Sequence, residues 1–162
     1  MKRTDFILLG IILVVATTLR LYKIDTPLAD LHSWRQGDTA AVARNYSRDG
    51  VDLLKPRYDD TSSIQTGYEN PERLRMVEFP LYNALIALFS RYLPVVSLEI
   101  YGRLVSIFFS LISIGVLYYF ALKEKNRLAA VATAAIFAVF PYFVFFSRVV
   151  LPESTDVACM ML

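Results

Sequence analysis

The chain has 162 residues, 56% of them hydrophobic, and a formal net charge of +2. The apolar share exceeds that of an ordinary soluble domain and comes in long blocks, which points to an all-α integral membrane protein and away from a soluble enzyme. A charge so close to balance gives no nucleic-acid footprint, and the single Cys159 excludes an internal disulfide.

Lys2 and Arg3 precede the first apolar run, predicted as a transmembrane helix over residues 6–22. No small-residue cleavage site breaks it, since Ala16-Thr17-Thr18 leads directly into Leu19-Arg20-Leu21-Tyr22, so an uncleaved helix is expected rather than a signal peptide. Arg20 can snorkel to an interface, and Tyr22 suits the headgroup belt.

A long polar segment, 23–103, follows. Within it, residues 38–48 carry small apolar residues among polar ones and are predicted to form a surface helix with Asp38 or Thr39 near its N-cap. Residues 50–70 are expected as loop, with a short strand around 53–58. The run 80–93 is about 14 residues long, which fits an interfacial helix better than a span, with Pro80 in its first turn. Residues 104–122 and 128–147 are long enough to cross a membrane, and Pro141 predicts a kink in the second of them. Residues 148–153 then form a loop, and 154–162 open a further helix without a stop signal, so the chain reads as the N-terminal part of a longer protein.

Orientation follows from the basic residues. Lys2, Arg3 and the turn 123–127, with Lys123, Lys125 and Arg127, should all face the cytoplasm. Three spans (6–22, 104–122, 128–147) satisfy both demands and place 23–103 and 148–153 on the extracytoplasmic face. A fourth span at 80–93 would put the basic turn outside and separate the two acid-bearing segments.

Those segments carry the chemistry. Asp38 follows His32, Trp34, Arg35 and Gln36. It reads either as a carboxylate at the mouth of a pocket walled by Trp34, where partial desolvation makes it a better base, or as a plain helix cap. Glu153 follows Pro152 and reads either as a second carboxylate facing Asp38 or as a helix-start charge paired with Arg148. Glu78 begins the 80–93 helix and could help shape the site. Arg103 and Arg148 stand at membrane edges, suited to a lipid phosphate or to anchoring helix ends. His32 is the sole histidine, which excludes a histidine-rich zinc site.

In order, His32-Ser33-Trp34-Arg35-Gln36-Gly37-Asp38, Glu78-Phe79-Pro80-Leu81-Tyr82, Gly102-Arg103-Leu104, Phe140-Pro141-Tyr142 and Phe146-Ser147-Arg148 through Pro152-Glu153 make a recognisable series. The chain resembles the N-terminal third of a GT-C class membrane glycosyltransferase, most closely the dolichyl-phosphate-mannose–protein mannosyltransferase and aminoarabinose-transferase-like group. It departs from that pattern twice. Glu78-Phe79-Pro80 stands where the family often has Lys-Pro-Pro or His-Pro-Pro, and Glu153 where it often has Asp.

The resemblance implies transfer of a sugar from a polyprenyl-phosphate donor to a glycan, lipid or protein acceptor at the outer face of the cell membrane, with inversion. Asp38 would be the base and Glu153 its partner. His32, Trp34, Arg35, Glu78, Arg103 and Arg148 would bind substrate. Asp38 and Glu153 would also be the ligands of any divalent cation, Mg²⁺ or Mn²⁺, which two carboxylates do not by themselves require. The alternative is a non-catalytic accessory subunit or transporter fragment that uses its outer segment for binding.

Overall fold

A computed structural model describes residues 1–28, 31–62 and 67–162; positions 29–30 and 63–66 of the expected external segment lie outside the described residues. The described chain is helical: α1 (Arg3–Leu21), α2 (Ser33–Asp49), α3 (Leu81–Tyr92), α4 (Leu98–Glu124), α5 (Arg127–Val139), α6 (Pro141–Phe146) and α7 (Glu153–Met161). It divides into two compact units, residues 1–24 with 106–162, and residues 25–105. Two helices, α1 with 19 residues and α4 with 27, are long and apolar enough to cross a membrane.

In the first unit α1 carries one stripe at helical spacing, Asp5, Leu9, Ile12, Leu13, Ala16 and Arg20, that faces its neighbours. Its other side leaves Phe6, Ile7, Ile11 and Val14 more than half exposed, which is unfavourable in water and natural in lipid. Asp5 accepts from the backbone N–H of Lys2 at 2.6 Å, closing the first turn, and from Arg127 Nε at 2.6 Å. At the other end of α1, Arg20 reaches the carbonyl of Ala138 at 2.8 Å. Contacts between the two starts and between the two ends make α1 and α5 parallel. Between the clamps, Ala130, Ala134 and Ala138 lie fully buried with Ala16, Ile114 and Tyr118. Small residues every fourth position let the helices approach closely. Asn126 caps α5 by accepting from the N–H of Ala129 at 2.9 Å.

The apolar run 128–147 is not one helix. Pro141 has no N–H to give Phe137 and forces the preceding residue out of helical geometry, so Phe140 is extended (φ −64°, ψ 126°) and the helix restarts as α6. The break strands the carbonyls of Phe137 and Ala138. Arg20 takes both, at 3.2 and 2.8 Å, and its Nε donates to Ser147 Oγ at 2.6 Å. Arg20 is therefore fully buried and caps a neighbouring helix, where the sequence suggested a side chain snorkelling to the interface. Residues 148–153, expected as an external loop, tuck inward. Val149, Val150 and Leu151 are buried, and Ser106 Oγ donates to the carbonyls of Val149 and Leu151.

In the second unit α2 packs on α3 through Ala41, Val42, Tyr46, Tyr58, Ala84 and Ala87. Asn83 Nδ2 donates to the carbonyl of Thr39 at 2.8 Å, and the Tyr82 hydroxyl donates to that of Gly102 at 2.8 Å. Gly50 (φ +104°) ends α2 by returning its N–H to Tyr46. The strand expected around 53–58 does not form. Among the described residues there is only an isolated bridge between Arg57 and Leu74, because Pro56 lacks a donor and the Tyr46 hydroxyl holds Asp52 in a turn.

Replacing Arg20 with Met should cost about 2–4 kcal/mol, the penalty for leaving buried carbonyls unanswered. Adding Pro141→Ala restores the missing donor, so the double variant should unfold later than Arg20→Met alone. Thermal unfolding in lipid nanodiscs reads both, and simple additivity of the two changes would disprove the coupling.

Candidate functional site

The left-handed turn at His32 (φ +60°) starts α2 at Ser33, five residues earlier than the sequence suggested. Asp38 is thus the sixth residue of the helix, beyond reach of the free N-terminal N–H groups. The cap role is overturned for both Asp38 and Thr39, and Asp38 needs another explanation. Its Oδ2 accepts from Arg75 Nη1 at 2.8 Å. Arg75 is itself held: its guanidinium lies 5.6 Å from the centre of the Tyr58 ring, and its N–H donates to the carbonyl of Pro56 at 2.8 Å. One helical turn before Asp38, Arg35 approaches Glu78 at 3.7 Å. Arg35, Asp38, Arg75 and Glu78 therefore form a charged cluster on α2 and the segment entering α3. Val42, Pro56, Pro80 and Asn83 line a small recess with Arg75 and Glu78.

Burial pushes the Asp38 carboxyl above its ordinary value, the attraction of Arg75 opposes this, and the negative charges of Asp60 and Asp59 reinforce it. In the same unit burial, with Asp52 adding, raises the Tyr46 phenol to about 12.

The other expected site residues divide as follows. His32 and Trp34 are exposed, Trp34 by 63%. Arg103 is not at an outward-facing edge. Because α4 begins at Leu98, Arg103 falls in its second turn and is buried, at 3% exposure. In the first unit Arg148 donates to the carbonyls of Tyr22 and Lys23 rather than to Glu153. Glu153 opens α7 directly after Pro152, as a helix-start acid does, and one of its oxygens is buried. It also lines a cavity of about 450 Å³ between α4, α5, α6 and α7. Asp38 and Glu153 belong to different units. Among the described residues no three His, Cys, Asp or Glu side chains gather as a metal site.

Two arginines were missed. Arg75 lies in a stretch without periodicity, and its nearness to Glu78-Phe79-Pro80 is its one signal. Arg20 did announce itself, as a lone charge inside an apolar run. No known family, curated protein or solved structure matches the chain.

Because its folded-state carboxyl is raised, Asp38 binds a proton more tightly in the folded than in the unfolded chain. The stability it contributes is complete below the ordinary aspartate value and is lost as pH rises through the folded one. Relative to Asp38→Asn, the wild type should lose stability across that acidic window, and Arg75→Met should enlarge the loss. Unfolding midpoints measured from pH 3 to pH 7 test this; curves that stay parallel would refute it.

Proposed function

We propose that the chain is the N-terminal part of a membrane glycosyltransferase of the GT-C type, acting at the extracytoplasmic face on a polyprenyl-phosphate-linked sugar. The observation that carries this reading is Asp38: a half-buried carboxylate inside a helix, with no capping duty, held by Arg75 and made a stronger base than usual by burial. In the reaction the acceptor hydroxyl gives its proton to Asp38 as its oxygen attacks the anomeric carbon. The bond from that carbon to the phosphate oxygen breaks, and polyprenyl phosphate leaves with the electron pair. The leaving group is already acidic and needs little protonation. Attack from the face opposite the phosphate inverts the anomeric centre.

The parallel arrangement of α1 and α5 supports the three-span orientation. The Asp5–Arg127 contact brings the N-terminal end of α1, beside Lys2 and Arg3, to the basic turn at 123–127. At the opposite end Arg148 meets Tyr22 and Lys23, where the chain leaves toward Asp38. Both acid-bearing segments thus depart from the end of the first unit opposite Lys2, Arg3 and the basic turn at 123–127. In this reading α5 and α6 together complete the third span, and Glu153 orients the acceptor. His32, Trp34 and Arg35 contact substrate, and Glu78 fixes Arg35. Arg148, partly exposed, serves the lipid phosphate side.

A second reading draws on the same ion pair. Asp38–Arg75 also serves as a structural tie within a non-catalytic outer segment that binds a partner. The two readings separate on mutation. In cells lacking the gene, complementation with Asp38→Asn or Glu153→Gln should leave the surface glycan and lipid profile as empty as no complementation, by mass spectrometry. Loss of a positioned base costs about 10²–10⁴-fold in rate. A wild-type profile from both variants, at equal membrane levels, sinks the transferase reading. Asp38 must be ionised to act, so the acid limb of the rate profile should lie above where an ordinary aspartate would place it. Arg75→Met removes the charge that favours ionisation and should move that limb to still higher pH.

A further inference from the structure

The cavity in the first unit has a lining whose polar atoms share one character. Ser110 donates its hydroxyl proton to the carbonyl of Ile107 at 2.8 Å, and Ser113 donates to that of Phe109 at 3.2 Å. Ser147 donates to Phe143 at 2.5 Å, and Ser154 to Phe146 at 3.5 Å. The serines direct their protons at backbone carbonyls, and Ser147 also accepts from Arg20, so Ser110 and Ser113 chiefly present lone pairs. Glu153 adds a carboxylate, which has roughly four lone-pair sites and can take a further donor without giving up its own contacts.

The rest of the lining is largely aromatic. Phe137 and Phe143 stack with centroids 4.3 Å apart, and Tyr142 lies 4.6 Å from Phe146. The faces of such rings are electron-rich. Arg20, the cation that touches this wall through Ser147, directs its other hydrogen bonds at the carbonyls of Ala16, Phe137 and Ala138. Its charge is met by the negative ends of α1 and α5. The positive end of α7 is met by Glu153 and Asp156 in its own first turn. The volume, about 450 Å³, falls within the roughly 300–1,000 Å³ of small-molecule sites.

We propose that this cavity binds an organic ammonium with an apolar body, its charge against Glu153 and the aromatic faces and its hydrocarbon against Phe137, Phe143 and Val157. The same lining is unsuited to anions: a phosphate or carboxylate would meet the Glu153 carboxylate and serine lone pairs. Glu153 is shared with the transferase reading, but binding is measured without turnover, so either idea can fail while the other stands.

The test compares three probes of one shape, ring-fluorinated 4-phenylbutylammonium, 4-phenylbutanol and 4-phenylbutyrate, by fluorine NMR titration against the protein in lipid nanodiscs. The amine should bind saturably, the alcohol about tenfold more weakly, and the carboxylate not at all. Glu153→Gln should bring the amine down to the level of the alcohol while leaving the alcohol unchanged. Val157→Trp, which fills the cavity from a partly exposed position, should abolish both. The idea is overturned if the wild type shows no saturable amine binding, if the carboxylate binds as well as the amine, or if either folded variant retains full amine affinity.

Discussion

The guanidinium of Arg20 is what makes the first unit possible. Pro141 breaks an apolar helix, and a broken helix leaves carbonyls that nothing apolar can satisfy. Arg20 answers two of them and ties Ser147 into the same set. A buried charge is expensive, and no carboxylate is among its partners. The compensation comes from the carbonyl ends of two helices, where the backbone dipoles concentrate negative charge. The break in turn lets α6 direct Tyr142, Phe143 and Phe146 into the cavity that Glu153 lines. Remove the arginine and the aromatic wall has no fixed anchor.

The second unit is governed by a balance at Asp38. Burial works against its charge and Arg75 works for it, and burial prevails. Tyr58 and Pro56 hold Arg75 so that it meets the carboxylate in one geometry. An acid held this way is ordered as well as more basic than usual, and the proposed transfer would need both.

Much of the fold was legible because lipid imposes simple rules. The runs 6–22 and 104–122 correspond to α1 and α4, and the short run 80–93 to α3, since length and apolarity alone define them. What failed was local. Asp38 looked like a cap because the helix was expected to begin at residue 38, yet the chain turns at His32, and Ser33 through Gln36 are helical. Residues 53–58 have strand-like composition, but Pro56 and the Tyr46–Asp52 bond hold them irregular. Arg103 looked like an edge residue until α4 proved to start six residues before the expected boundary at 104. Pro141 was expected to bend a helix and instead divides it. For the candidate site, Asp38 and Glu153 could be singled out as acids beside apolar runs, whereas Arg75 is found only through its contact with Asp38, 37 residues away in sequence.

The two polar clamps along α1 also restrict how this unit can move. Asp5 and Arg20 are 15 residues apart, about 22 Å along the axis, and both grip α5. A piston stroke of one turn, about 5.4 Å, would tear both grips at once and drive the alanine stripe out of register. The pair therefore behaves as a ruler of fixed length, and any working motion has to be a swivel about its long axis or a swing of α6 at Phe140.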